Sequence, residues 1–355
     1  MKSKIELIKG NHADFAAYWE ALADSALGSP IYGHANFGYY QTVSDQRIIK
    51  NFDCVALLDK EPVAGVRLHL AQSAKGRVID YFGNPGCFLA VPGVADQNLA
   101  FSAISVSIIE DGFRADISSP DVEIDISMNS EWTQEPAKVI DLILRHSSKL
   151  RLAFSRYLDL SEVYPADQGA PPIRWPKSVR EALKGAESSE IVCTALDESS
   201  DQAQTEQAFM DLKSLHLSSA GRLTRSEESW REQLKSVQGG HAFLVAARLA
   251  GKTIGVSYFL RCGKSCYYGI SASHLEYRTL SIGHVIMVEA IEFAQRSGLA
   301  TFWVGSQFSQ STDAASEKEF QIEKFKSYFG SSLDLKVLGT RDASSRGPEP
   351  DTATF

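Results

Sequence analysis

Apolar and polar positions alternate most clearly in two stretches far apart in the chain. Val55-Ala56-Leu57-Leu58 and Val63-Ala64-Gly65-Val66 flank the polar turn Asp59-Lys60-Glu61, and Val245-Ala246-Ala247 and Ile254-Gly255-Val256 flank Ala250-Gly251-Lys252. Such runs on either side of a tight polar turn predict β-hairpins. The stretches overlay without gaps at an offset of about 190 residues, too long for a solenoid repeat and suited to duplicated domains. Val55/Val245, Ala56/Ala246, Gly65/Gly255, Val66/Val256 and Leu70/Leu260 coincide. A third strand is expected after each hairpin, at 78–83 and at 265–269. From there the spacing repeats again: Gly83 to Gly112 and Gly269 to Gly298 each enclose a loop and a helix stopped by the second glycine. A last strand is then expected near 115–118 and near 301–305.

Two β-β-β-α-β copies with helices ahead of them predict an α/β protein of two tandem domains, each a mixed sheet flanked by helices. The division expected is 1–165 for the first domain and 201–340 for the second, with a linker and helix over 166–200. Pro165, Pro171, Pro172 and Pro176 break that connection, and a helix is expected from about 177 to 184. A longer helix over 202–217 leads into the second domain. The small, polar, Pro-rich end, 341–355, is expected to be a disordered tail.

The helix expected over 281–298 starts at a good N-cap, Ser281, and stops at Gly298. Ile282, Ile286, Met287, Ala290, Ile291, Phe293 and Ala294 share one face, so it packs broadly on a sheet. Gly283 lacks a side chain in its first turn, which opens the backbone N–H groups to a ligand. A helix N-terminus with free donors is a ready anion site, and Arg278 stands just before it with a positive charge.

Composition narrows the class. Hydrophobic residues make up 44% and charged residues 23% of the 355, values of a soluble globular protein. No apolar run reaches the roughly 20 residues that span a bilayer, and no apolar stretch follows the first lysines as in a secretory signal. Cys54, Cys87, Cys193, Cys262 and Cys266 are odd in number and scattered, which argues against a disulfide framework and, without a second Cys/His pair, against a zinc site. A cytoplasmic location is expected. The net charge of −8 disfavours nucleic-acid partners: DNA is not expected, and tRNA is possible but disfavoured.

Several segments together resemble a known family. Tyr267-Tyr268-Gly269-Ile270-Ser271-Ala272-Ser273, Arg278-Thr279-Leu280-Ser281-Ile282-Gly283-His284, Glu289-Ala290-Ile291-Glu292-Phe293-Ala294 and Gly298 through Gly305 are similar to the C-terminal half of the FemAB-like branch of the GNAT acyltransferases. Glu319 through Gly330, with its Phe-Lys-x-x-Phe-Gly ending, looks like the closing helix of that branch. Leu215-His216 with Gly221-Arg222 is similar to its first interdomain helix region. The resemblance implies tandem GNAT domains and transfer of an acyl group from an activated donor to an amine of a small molecule or cell-envelope precursor. An acyl-CoA co-substrate is favoured over aminoacyl-tRNA, with no tightly bound cofactor and no metal. A degenerate pair serving only as a binding module is the contrasting reading.

In the GNAT pattern the donor's pyrophosphate lies where this chain has Arg278, Ser281, Gly283 and His284. The usual spacing is altered, because Gly283 follows Arg278 by five positions with no second glycine. Lys326 is the candidate for stabilising the oxyanion and His216 for accepting the amine proton. Tyr267, Gln307, Tyr32 and His34 are candidates for lining the substrate cleft. The equivalent helix start in the first domain, near Pro92-Gly93, has no arginine before it, so that copy is expected to be non-catalytic.

Overall fold

The computed structural model describes residues 4–25, 29–44, 46–82, 84–91, 94, 97–119, 121–129, 145–162, 175–307 and 317–341. The chain forms two compact units. One comprises Met1–Ala26, Ser44–Ala153 and Leu335–Phe355, the other Leu27–Val43 and Phe154–Asp334. The second unit thus takes in residues 27–43, which the sequence-based division had placed with the first domain.

In the first unit β1 (Ile5–Lys9), β3 (Cys54–Leu58), β4 (Glu61–Arg67) and β7 (Gly86–Ala90) run antiparallel in that order. β7 then joins β8 (Val122–Asn129) in parallel. On β8 also lie β6 (Gly76–Asp80), in parallel, and the Lys336–Arg341 part of β15 (Ser332–Arg341), antiparallel. β2 (Arg47–Asn51) and β5 (His69–Ser73) extend the hairpin that β5 makes with β6. α1 (Phe15–Ser25) lies close over Gly65 of β4, where an added Cβ would come within 2.6 Å of Leu22 and 2.9 Å of Trp19. α3 (Gln97–Glu110) buries Ala100, Ile104 and Ile108 in a core with Ala56, Ala64, Val66, Ile79 and Phe88.

Three expectations change here. The segment 115–118 belongs to a helix, α4 (Phe113–Ser118), because Phe113 and Ile117, one helical turn apart, are both buried; the strand in that role is β8. Of the strand expected at 78–83, residues 78–80 belong to β6, but the strand lying on β4 as the third of the repeat is β7, since the β5–β6 hairpin is inserted before it. Arg341, expected to open a disordered tail, is a buried strand residue. Its Nη2 donates to Ile117 O (2.8 Å), Ser119 O (2.8 Å) and Val122 O (2.9 Å), which closes the carbonyl end of α4. The remainder of the expected tail lies outside the described residues.

The second unit carries β10 (Val192–Leu196), β11 (Ala242–Leu249), β12 (Lys252–Cys262) and β13 (Ser265–Ser273), antiparallel in that order. β14 (Thr301–Gln307) joins β13 in parallel and pairs on its other side with β9 (Lys149–Asp159) through residues 154–159. Opposite faces of this sheet are covered by different helices. α6 (Gln202–Ala220) and α7 (Glu227–Gln238) enclose Phe209, Leu212, Trp230, Leu244, Val256 and Tyr258. α8 (Ile282–Arg296) buries Ile282, Ile286, Met287, Ala290, Ile291 and Ala294 against Phe243, Val245, Phe259 and Phe302. Gly298, with φ 74°, ends α8 as its sequence position suggested.

The hairpin turns of both units have both central residues left-handed, Asp59 and Lys60 (φ 51° and 75°) and Ala250 and Gly251 (48° and 80°). That is the geometry whose twist suits a two-residue hairpin. The pairing within them differs, however. Val55 lies opposite Gly65, whereas Val245 lies opposite Ser257, so bulges have shifted one copy against the gapless overlay. α5 (Lys177–Ser188) packs beside α8, and α2 (Phe37–Val43) beside α7. Gly33, ahead of α2, sits so close to Cys262 that an added Cβ would lie 3.2 Å from its Sγ. α9 (Glu317–Ser327) packs on β14.

Candidate active site

The site is set by a parting of strands. β13 and β14 pair only through Ser265/Thr301, Cys266/Phe302 and Tyr267/Trp303, although β13 continues to Ser273 and β14 to Gln307. Beyond Tyr267 no described strand pairs with the facing edge of β13, whose backbone donors and acceptors can serve a ligand. Gly269 sits just there, where the β12–β13 register slips between Tyr258 and Phe259.

At the mouth of this gap lies Gly305, with φ 106°. An added Cβ would meet Lys326 Nζ at 2.8 Å and Tyr267 OH at 3.1 Å. An ammonium and a phenol from separate elements therefore converge on one point of β14, and the absent side chain leaves them the space. Among the described residues no carboxylate pairs with Lys326 within 4 Å. Burial lowers its pKa from the usual lysine value of 10.5, and Glu323 only partly offsets this. Tyr267 belongs with Tyr40 and Leu215 on the α6–α7 face, whereas Tyr268 packs on the α8 face near Phe325. The two tyrosines thus divide between the faces by strand alternation. Burial, with Tyr39 adding to it, pushes the Tyr267 hydroxyl up to about 12, so it is a proton donor at neutral pH.

The second feature is the start of α8. A 3₁₀ turn over Leu275–Leu280 is followed by Ser281 in the left-handed region (φ 50°, ψ 37°), whose side chain makes no cap bond. A right-handed residue followed by a left-handed one turns successive N–H groups toward a common concavity that suits an anion. Arg278 is exposed there, and among the described residues it has no ion-pair partner. Gly283 plays a different part from the one its sequence suggested. The Phe325 ring lies 3.4 Å from where its Cβ would be, so α9, rather than open space, faces that atom. His284 also turns toward α9, against Phe325 (5.1 Å), Tyr328 (5.7 Å) and Phe329 (5.9 Å). Its buried Nε2 has no hydrogen-bond partner among the described residues, and burial lowers its pKa. Both residues anchor the helix that carries Lys326.

His216 packs with Arg225 and Trp230 on the α6–α7 face. Arg225 Nη1 lies 2.9 Å from His216 Nε2; guanidinium only donates, so that nitrogen accepts. The ring stands edge-on to Trp230, which Arg225 also overlies at 5.6 Å. Burial and then Arg225 lower the His216 pKa. Its lone pair is committed, and its described neighbours include neither Gly305 nor Lys326. Tyr32 is buried and His34 stacks on Phe37 (6.1 Å) in the 3₁₀ turns ahead of α2. Gln307 is the last residue of β14; its side chain lies outside the described residues.

In the sequence Gly305 stands only at the end of an expected strand. Its signal was available, since a glycine inside a strand marks close approach of another group. Arg225 has no such signal, because only the fold lays it on Trp230.

Residues 176–307 match the acetyltransferase (GNAT) domain family. This stretch of the second unit is a GNAT-type acyltransferase domain, and each unit is a mixed sheet flanked by helices. Solved structures agree on the fold. FemX superposes with a TM-score of 0.63 at 11% identity, covering 94% of this chain and 96% of that one. The C-terminal domain of a putative lysylphosphatidylglycerol synthetase from Agrobacterium fabrum gives 0.55 at 10%, covering 92% of each. L-PGS from Bacillus licheniformis gives 0.54 at 11%, covering 95% and 94%. No curated protein matches in sequence. Among the described residues no helix is long and apolar enough to cross a membrane, and no cluster of three or more His, Cys, Asp or Glu is placed to hold a metal.

Proposed function

We propose that the second unit moves an acyl group from acyl-CoA to the amine of a small molecule or cell-envelope precursor. The observation that carries this is the convergence of Lys326 Nζ and Tyr267 OH beside Gly305, at the mouth of the β13–β14 gap. Attack of a neutral amine on a thioester carbonyl builds negative charge on the carbonyl oxygen. Two donors already aimed at one point stabilise that charge without reorganising, an effect worth about 3–4 kcal/mol per donor in other acyl-transfer sites.

The donor's extended arm fits along the edge of β13, and its phosphates fit the N–H groups at Ser281, Ile282 and Gly283 with Arg278 beside them. His284 supports that loop from the α9 side. Tyr32, His34 and Gln307 remain candidates for the acceptor wall. His216 is replaced as proton acceptor by bulk water or the acceptor's own groups, because its Nε2 is held by Arg225. The charge of −8 favours CoA over tRNA as the donor carrier.

The test is titration of the protein with CoA and acetyl-CoA, followed by an intact-mass screen of amines. Acetyl-CoA should bind saturably, and Arg278→Ala should weaken it about 3- to 10-fold, the scale of one exposed charge–phosphate contact. Unchanged affinity in Arg278→Ala would remove the donor site as drawn.

A further inference from the structure

Arg156 lies on β9 directly across from Gly305 in the β9–β14 ladder, so the two backbones are about 5 Å apart there. Its Nη1 makes one long bond, 3.3 Å, to the carbonyl of Gly330, just past α9. Its Nε is buried and has no hydrogen-bond partner among the described residues. Arg156 also has no ion-pair partner among them, whereas Arg67, Arg77, Arg261 and Arg296 each face a carboxylate. Lys326, beside the same Gly305, likewise lacks one. Two cationic side chains thus flank one strand position, and among the described residues no carboxylate pairs with either. A single bond to Gly330 leaves most of the guanidinium's five donors unused.

We infer that Arg156 is a substrate-binding residue, which holds a carboxylate or phosphate carried by the acceptor close to its amine. This rests on the acyltransferase reading above, which places the transfer centre at Gly305. A guanidinium fork matches either oxyanion with two parallel bonds. Anchored to Gly330 and closely packed on it (an added Cβ at Gly330 would lie 2.9 Å from Arg156 Cβ), the side chain is ordered before a ligand arrives. The substrate class that follows is an amine with an adjacent oxyanion, an amino acid or a phosphorylated amine, and not a simple alkylamine.

The full-length protein is titrated with oxalate and with inorganic phosphate at fixed ionic strength, read by calorimetry and by tryptophan fluorescence. Trp303, tilted against the ring of Tyr157 at 5.2 Å next to Arg156, is the expected reporter, and Trp303→Phe identifies its share of the signal. At least one anion should bind saturably, and the tighter of the two separates carboxylate from phosphate recognition. Arg156→Ala should weaken that binding at least tenfold, with Arg156→Lys intermediate because it keeps the charge and loses the fork. If Arg156→Ala does not fold, Arg156→Gln, which retains a donor for Gly330, is held to the same criterion. No saturable binding of either anion by the wild type, or unchanged affinity in the variant, overturns the assignment. These titrations need no acyl transfer. A protein that binds the anion through Arg156 yet acylates no amine would reject the acyltransferase reading alone.

Discussion

Gly305→Ala puts the arrangement at Gly305 under direct strain. The new methyl group would stand 2.8 Å from Lys326 Nζ and 3.1 Å from Tyr267 OH, against an ordinary van der Waals separation near 3.5 Å. Each polar atom must therefore retreat by several tenths of an ångström, and both are ends of side chains that can do so at small cost. The backbone adds its own penalty, since φ 106° is unfavourable for any residue with a Cβ, by about 1–3 kcal/mol. The fold should survive, weakened by about 1–3 kcal/mol in urea denaturation. The chemistry should suffer more. Displacing oxyanion donors by less than 1 Å is enough to cost on the order of 100-fold in rate, while the donor's phosphates are held elsewhere. The assay is steady-state release of CoA thiol with an amine found by the mass screen, alongside direct acetyl-CoA binding. The expected result is kcat down about 100-fold with the acetyl-CoA Kd within a factor of two. A variant that keeps kcat within threefold of wild type would show that Lys326 and Tyr267 do not act at this point.

Other consequences can be checked separately. Lys326→Met should lower kcat by about 100- to 1,000-fold with little change in stability. If the ammonium is the active form, wild-type activity should fall with rising pH at a value below the usual lysine pKa of 10.5, because burial lowers it; a pH–rate profile that stays flat to pH 11 contradicts this. Gly283→Ala places its methyl in ordinary contact with Phe325, so it should raise stability by about 0.5–1 kcal/mol through helix propensity and leave acetyl-CoA affinity unchanged. Weakened binding there would mean that the ligand, and not Phe325, needs the glycine.

In the first unit, Asp53 is buried with Arg67 (3.2 Å) and His69 (3.2 Å). Burial raises its pKa, but His69 and Arg67 outweigh that, so the net shift is downward from 3.8. A depressed carboxyl stabilises the fold fully above its unfolded pKa and loses that contribution as pH falls through the folded one. Asp53→Asn, which removes the carboxylate charge buried beside Arg67, should cost about 3–5 kcal/mol at pH 7. The gap from wild type should hold down to about pH 4 and narrow only below it. Thermal melts of both proteins between pH 8 and 3 measure this, and a gap already closing at pH 6 would point to a different group.

The amino-acid sequence by itself determined the units of construction. Hairpins, the Ser281–Gly298 helix and the glycine stops are set by local rules of period, turn chemistry and capping, which act over a few residues and are written in those residues. It also carried the motifs that resemble GNAT proteins, and with them Lys326 and Tyr267. What it could not carry were consequences of contacts between distant segments. Residues 115–118 look as good for a strand as for a helix until Phe113 and Ile117 are seen to share a buried face. Gly283 looks like an opening for a ligand until α9 lays Phe325 over it. His216 looks like a free base until the turn after α6 brings Arg225 to its nitrogen. The position of Arg156 across from Gly305 depends on the register of β9 on β14, which is fixed by how a strand near residue 156 and one near 305 bury their side chains together. Local propensity chose the elements. Only their packing decided which polar groups are satisfied within the protein and which remain available to a substrate.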